Sequence, residues 1–139
     1  AINYREEDFV AATKEATGGN GAEVILDMVG GDYVDRNYQA AAVDGRIVQI
    51  ATLGGKSAPA DVSRLMVKRL THTGSTLRPR SVKFKGEIAA ALEAQVWPML
   101  ATRKIAPVMD MIFPLTEAWR AHERMEESEH IGKIVLDVG

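Results

Sequence analysis

The feature that most restricts this chain is one pattern used three times: a short apolar run, then a turn, then a stretch with helical spacing. Ala22-Glu23-Val24-Ile25-Leu26-Asp27-Met28-Val29 ends in Gly30-Gly31, and Arg46-Ile47-Val48-Gln49-Ile50-Ala51 leads to Leu53-Gly54-Gly55. Leu70-Thr71-His72-Thr73-Gly74-Ser75-Thr76-Leu77 is the third run and is rich in β-branched residues. Between them, about Asp32 to Val43 and Asp61 to Arg69 read as helices. Strands alternating with helices through short glycine turns predict βαβ crossovers, hence an α/β fold with a parallel sheet. The first run is apolar enough to predict a strand covered on both faces.

Residues 1–4 read as the end or exit of a strand. Glu6 to Thr17 reads as a helix with Phe9, Val10, Thr13 and Ala16 near one face. Glu6, Glu7 and Asp8 suit its positive N-terminal end, and Gly18-Gly19-Asn20-Gly21 stops it. After Arg78-Pro79-Arg80 the pattern changes. Lys83 to Thr102 predicts a long helix with Phe84, Ile88, Ala91, Leu92 and Val96 toward the core, interrupted at Pro98. Val108 to Phe113 reads as a strand with Met109 and Met111 in the core. Pro114 then leads into a helix whose inner face carries Leu115, Ala118, Trp119, His122 and Met125. Gly132 opens a last strand, Lys133 to Val138.

A chain of 139 residues suits one domain, and a hydrophobic fraction of 46% with 26% charged residues is that of a soluble globular protein. A net charge of -2 gives no electrostatic case for nucleic acid or an anionic membrane. No apolar run approaches the ~20 residues that span a bilayer. The polar, acidic start is unlike a signal peptide. Cysteine is absent, which excludes disulfides, thiolate metal sites and thiol nucleophiles within these residues and fits a cytoplasmic location. Position 1 is Ala rather than Met, which points to a piece of a longer chain.

Chemistry is expected at the strand ends, because ligands of open α/β sheets bind outside the carboxyl ends of strands where strand order reverses. The glycines there either let a ligand approach the backbone or only make tight turns, and spacing does not separate the two. No GxGxxG or P-loop motif occurs. Gly18-Gly19-Asn20-Gly21 closes a helix and precedes a strand, the reverse of a phosphate cradle. His72, His122 and His130 lack metal-ligand spacing. His72 reads as a structural mid-strand residue, His122 as a packed core histidine and His130 as a loop residue. No GxSxG supports a nucleophilic serine. Glu6-Glu7-Asp8 and Glu126-Glu127 read as solvated faces. No catalytic residue and no metal site stands out.

The segment Pro114-Leu115-Thr116-Glu117-Ala118-Trp119-Arg120-Ala121-His122-Glu123-Arg124-Met125-Glu126, followed by His130-Ile131-Gly132-Lys133-Ile134-Val135-Leu136, resembles the C-terminal signature of zeta-crystallin-like quinone oxidoreductases. These belong to the medium-chain dehydrogenase/reductase superfamily. Ala1-Ile2-Asn3-Tyr4, Asp27-Met28-Val29-Gly30-Gly31, Gly45-Arg46-Ile47-Val48 and Gly74-Ser75-Thr76-Leu77-Arg78 match in the same order, so the resemblance covers essentially the whole chain. It implies the second half of a Rossmann-type doubly wound parallel sheet plus C-terminal helices and strand. About 108–139 would return to a catalytic lobe that, with the glycine loop, lies outside these residues.

The resemblance further implies an NADPH site. Tyr4 would lie against the adenosine 2′-phosphate or ribose. Val29 and Gly30 would lie beside the adenine-side ribose and pyrophosphate, with Ala51, Thr52, Leu53 and Gly54 near the nicotinamide-side ribose. Ser75, Thr76 and Leu77 would hold the carboxamide through their backbone. His130 falls where relatives place a polar cofactor contact, and Lys133 is a weaker candidate. The implied reaction is zinc-independent hydride transfer from NADPH to a quinone or related conjugated carbonyl. Two other readings are an enoyl or enal reductase of the same superfamily and a folded module that lacks catalysis by itself. An exposed edge strand at Leu70–Leu77, together with the resemblance, predicts a homodimer.

Overall fold

In the computed structural model, which describes residues 1–139, the chain divides into two compact units, Ala1–Arg80 and Ser81–Gly139. The boundary falls where the sequence pattern changes. In the first unit, α1 (Phe9–Ala16) precedes β1 (Ala22–Asp27), α2 (Tyr33–Ala40), β2 (Ala41–Gln49), α3 (Val62–Val67) and β3 (Thr71–Gly74). The strands lie in the order β1-β2-β3, all parallel. The α/β fold with a parallel sheet is as the sequence predicts.

Crossovers between parallel strands are almost always right-handed. When successive strands step in one direction across a sheet, that hand puts every crossover helix on the same face. Tyr38 of α2, Ala41 and Ile47 of β2, and Leu70 accordingly form one buried cluster, with Ile25, Val34, Ala60 and Leu65 packed against it. The other face is bare: Val24 and Leu26 are 64% and 62% exposed. β1 is therefore not covered on both faces, contrary to the expectation from its apolar run.

Element ends differ from the sequence reading where side chains take over backbone groups. Residues 1–4 form no strand. The carbonyl of Asn3 accepts from the amides of Glu6 and Glu7, so the chain turns there. Asp8 then caps α1 by accepting from the Val10 amide at 3.2 Å. At the other end of α2, the Lys68 ammonium donates to the carbonyls of Tyr38, Gln39 and Ala41 at 2.9, 2.9 and 2.7 Å. The helix stops at Ala40 rather than Val43, and Ala41 is already extended. Asp44 and Gly45 fall inside β2. There the pairing with β1 slips from Ala22↔Ala41 to Val24↔Arg46.

The second unit holds α4 (Val82–Gln95), α5 (Trp97–Ala101), β4 (Met109–Pro114), α6 (Ala118–Glu126) and β5 (Lys133–Asp137), with β4 and β5 paired in parallel. The expected long helix breaks at Val96. Pro98 sits in the first turn of α5, where its missing amide costs nothing. No residue of α4 is buried, so Phe84, Ile88 and Leu92 are not core residues. Phe113 and Ala121 are buried, whereas Met109, Met111, Leu115, Trp119, His122 and Met125 are exposed. The roll of α6 explains the correction. Arg124, one turn from Ala121, forks onto Asp110 of β4 at 3.0 and 3.1 Å, which turns Trp119, His122 and Met125 away from the sheet.

Lys68→Met keeps the chain length but removes the donor to three carbonyls. The expected loss is about 1–3 kcal/mol of folding free energy, seen as a lower urea midpoint at unchanged m-value.

Candidate functional site

The strand register builds the site. Asp27 pairs with Gln49, and Gln49 with Gly74, so the carboxyl ends of β1, β2 and β3 stand in one row. The segments that leave them are then joined by backbone hydrogen bonds. Ile50 donates to Asp27, Leu53 to Met28, Gly54 to Val29 and Gly31 to Gly55, at 2.8, 3.1, 2.7 and 3.0 Å. Ser75 donates to the carbonyl of Gln49 at 3.0 Å. Val29, Gly30, Ala51, Thr52, Leu53, Gly54 and Ser75 thus lie along one edge of the sheet, and Thr76 and Leu77 follow Ser75 in the chain.

The glycines are required by this joining. A Cβ on Gly30 (φ +66°) would lie 2.9 Å from the Gly55 carbonyl oxygen, and one on Gly31 (φ +53°) 2.8 Å from that of Gly54. Close approach of the two loops to each other, rather than turn formation alone, fixes glycine there. Outward, the edge offers polar backbone. Thr52, Thr76 and Leu77 are exposed, and their amides donate to no group of the protein. Leu53 and Leu77 stand 80% and 51% exposed beside them.

A buried polar network, absent from the sequence reading, lies behind the row. The Asp27 carboxylate, 4% exposed, accepts from the amides of Val29 and Gly30 at 2.6 and 3.1 Å and from the Asn37 side-chain amide at 2.9 Å. Gln49 donates to the carbonyls of Asp27 and Ala51 at 3.3 and 2.6 Å. The available signal was an acidic residue at the end of an apolar run, five residues into a strand and just before Gly-Gly. An apolar cavity of about 240 Å³ lies nearby, with Phe9, Leu26, Met28, Tyr33 and Asn37 in its lining.

Tyr4 is in the N-terminal turn and 60% exposed, with no contact to the row among its hydrogen bonds or ring contacts. His130 belongs to the second unit, where its Nδ1 is buried without a partner. Asp110 is near it. The Arg124 guanidinium, with the Ile131 amide and His130, holds the Asp110 carboxyl below the usual carboxylate range, and Arg124 is correspondingly raised. His72 is structural, as expected, since the Tyr38 hydroxyl meets its Nδ1 at 2.8 Å. No three His, Asp or Glu side chains converge to hold a metal.

A half-wound parallel sheet with its loops joined at the strand ends is a Rossmann-type α/β architecture. The chain belongs to the zinc-binding dehydrogenase family, whose model matches residues 1–136, within the medium-chain dehydrogenase/reductase superfamily. It is 28% identical over 137 residues to quinone oxidoreductase 1 of Escherichia coli, covering 97% of this chain and 42% of that one. It is 26% identical over 139 residues to the highly reducing polyketide synthase ALT1 of Alternaria alternata, covering 99% of this chain and 5% of that one. A mycobacterial protein solved complexed with NADPH superposes with a TM-score of 0.71 at 26% identity, over 97% of this chain and 42% of that one. The chain therefore spans less than half the length of these relatives. The family name includes zinc, for which these residues offer no ligand set.

Two outcomes follow from the geometry. Gly30→Ala should cost about 1–3 kcal/mol through its left-handed backbone, with further loss from the Gly55 contact, measured by denaturant unfolding. A depressed carboxyl contributes stability above its unfolded pKa, and that stability disappears as pH falls through the folded value. The melting-temperature gap between wild type and Asp110→Asn should be constant near neutrality and close below pH ~4, followed by calorimetry across pH.

Proposed function

We propose that the polypeptide carrying this chain is an NADPH-dependent oxidoreductase that reduces a quinone or related conjugated carbonyl without zinc. The observation that carries the reading is the row of aligned strand ends with unused amides at Thr52, Thr76 and Leu77, in a chain 28% identical to a quinone oxidoreductase.

Val29 and Gly30 would border the adenine-side ribose and pyrophosphate, and Ala51 to Gly54 the nicotinamide-side ribose. Ser75 to Leu77 would hold the carboxamide, a role suited to the free Thr76 and Leu77 amides. The exposed phenol of Tyr4 is available to a 2′-phosphate. NADPH would supply the hydride from C4 of its nicotinamide. The protein's part is to orient that ring and keep the site dry, with Leu53 and Leu77 as apolar walls. β3 is an edge of its sheet, and pairing there with a second copy would make a homodimer.

A second reading, enoyl or enal reduction, is favoured by the match of 99% of this chain to a segment of a polyketide synthase. Calorimetry on the intact polypeptide should give NADPH a dissociation constant at least roughly tenfold below that of NADH, about 1.4 kcal/mol. Equal affinities would overturn the cofactor preference. NADPH oxidation with quinones supports the first reading, and turnover of conjugated thioesters but not quinones supports the second.

A further inference from the structure

We propose that Asp27 is a positioning residue for the nucleotide site, acting with Asn37 to hold the β1–α2 loop in its binding shape. This deepens the function proposed above and rests on it. Both side chains are 4% exposed, although each is strongly polar. A buried carboxylate survives only where its oxygens are filled, and here both are: Oδ1 takes the amides of Val29 and Gly30, Oδ2 the Asn37 amide. Those two backbone amides belong to the residues assigned to the adenine-side ribose and pyrophosphate.

The constraint reaches farther than one loop. Val29 is itself the acceptor for Gly54, and Gly31 donates to Gly55, so the loop fixed by Asp27 sets the position of 53–55. The Asp27 carbonyl also accepts from Ile50 and from the Gln49 side chain. One residue thereby ties the Val29-Gly30 segment to the Ala51–Gly54 segment, the two that would contact opposite ribose units. Asp27 would touch no part of the dinucleotide. Its effect would pass entirely through the backbone it holds.

The test exploits the donor and acceptor pattern. Asp27→Leu removes the acceptor for all three amides, and Asn37→Asp sets two carboxylates face to face. The double exchange D27N/N37D restores one donor facing one acceptor and leaves an Oδ1 for the Val29 and Gly30 amides. In the intact polypeptide, each single variant should weaken NADPH binding by about tenfold, with the loss in KM for NADPH larger than the loss in kcat. The double variant should return the dissociation constant to within about threefold of wild type. Single variants with unchanged NADPH affinity, or a double variant as weak as the singles, would overturn the proposal. Should a single variant not fold, the double is read alone: near-wild-type affinity supports the proposal and a tenfold loss sinks it. Deuterium exchange of the peptide over 27–31 separates the two levels. If wild type binds no dinucleotide, the proposed function fails. Faster exchange in the single variants, reversed in the double, then still supports Asp27 as the residue that orders the loop, and unchanged exchange rejects it.

Discussion

The register between β1, β2 and β3 is the constraint on which the first unit depends. Side chains alternate along a strand, so a slip of one residue would carry Ile25 and Ile47 from the helix-covered face to the bare one. Burying Ile47 to 1% exposure is worth about 1.5–3 kcal/mol, and every such side chain votes for the same alignment. Once Ile25 stands beside Ile47 and His72, Asp27, Gln49 and Gly74 must also stand in a row. The alignment of the strand ends is thus a consequence of core packing at the middle of the sheet.

The edge of the sheet is fixed by a different kind of force. Beyond the last strand residues, the chains remain hydrogen-bonded through Leu53, Gly54 and Gly31. Such an approach leaves no space for Cβ atoms at Gly30 and Gly31. Glycine costs backbone entropy in any ordered segment, and the joined loops offset that cost with paired amides and the buried Asp27 network. Rigidity there is useful to any ligand, because contact segments that are already ordered lose little freedom on binding.

Much of this was legible in the sequence, and the exceptions share a cause. Apolar runs located the strands because burial follows residue type. The glycine pairs located the strand ends because positive φ and close approach have few alternatives. Element ends moved where a distant side chain claimed backbone groups, as Lys68 does at the end of α2. Helix faces in the second unit went astray because spacing gives a helix its apolar stripe but not its roll. The Arg124–Asp110 pair sets that roll and turns His122 outward. An acid such as Asp27 in an apolar run reads as an interruption, and its partners lie two, three and ten residues away.

The order β1-β2-β3 also limits where a ligand crevice can open. A crevice of the α/β kind forms where neighbouring strands send their crossovers to opposite faces. Within this sheet, α2 and α3 both pack on the face of Ile25 and Ile47, so no reversal occurs between β1 and β2 or between β2 and β3. β3 is flanked by β2 alone and ends in the short Thr71–Gly74 ladder. The other free edge is that of β1, whose bare face carries Val24 and Leu26. The strand end that borders that edge is Asp27-Met28-Val29-Gly30. It is also the one the fold secures with the buried Asp27 carboxylate and the crowded pair Gly30 and Gly31.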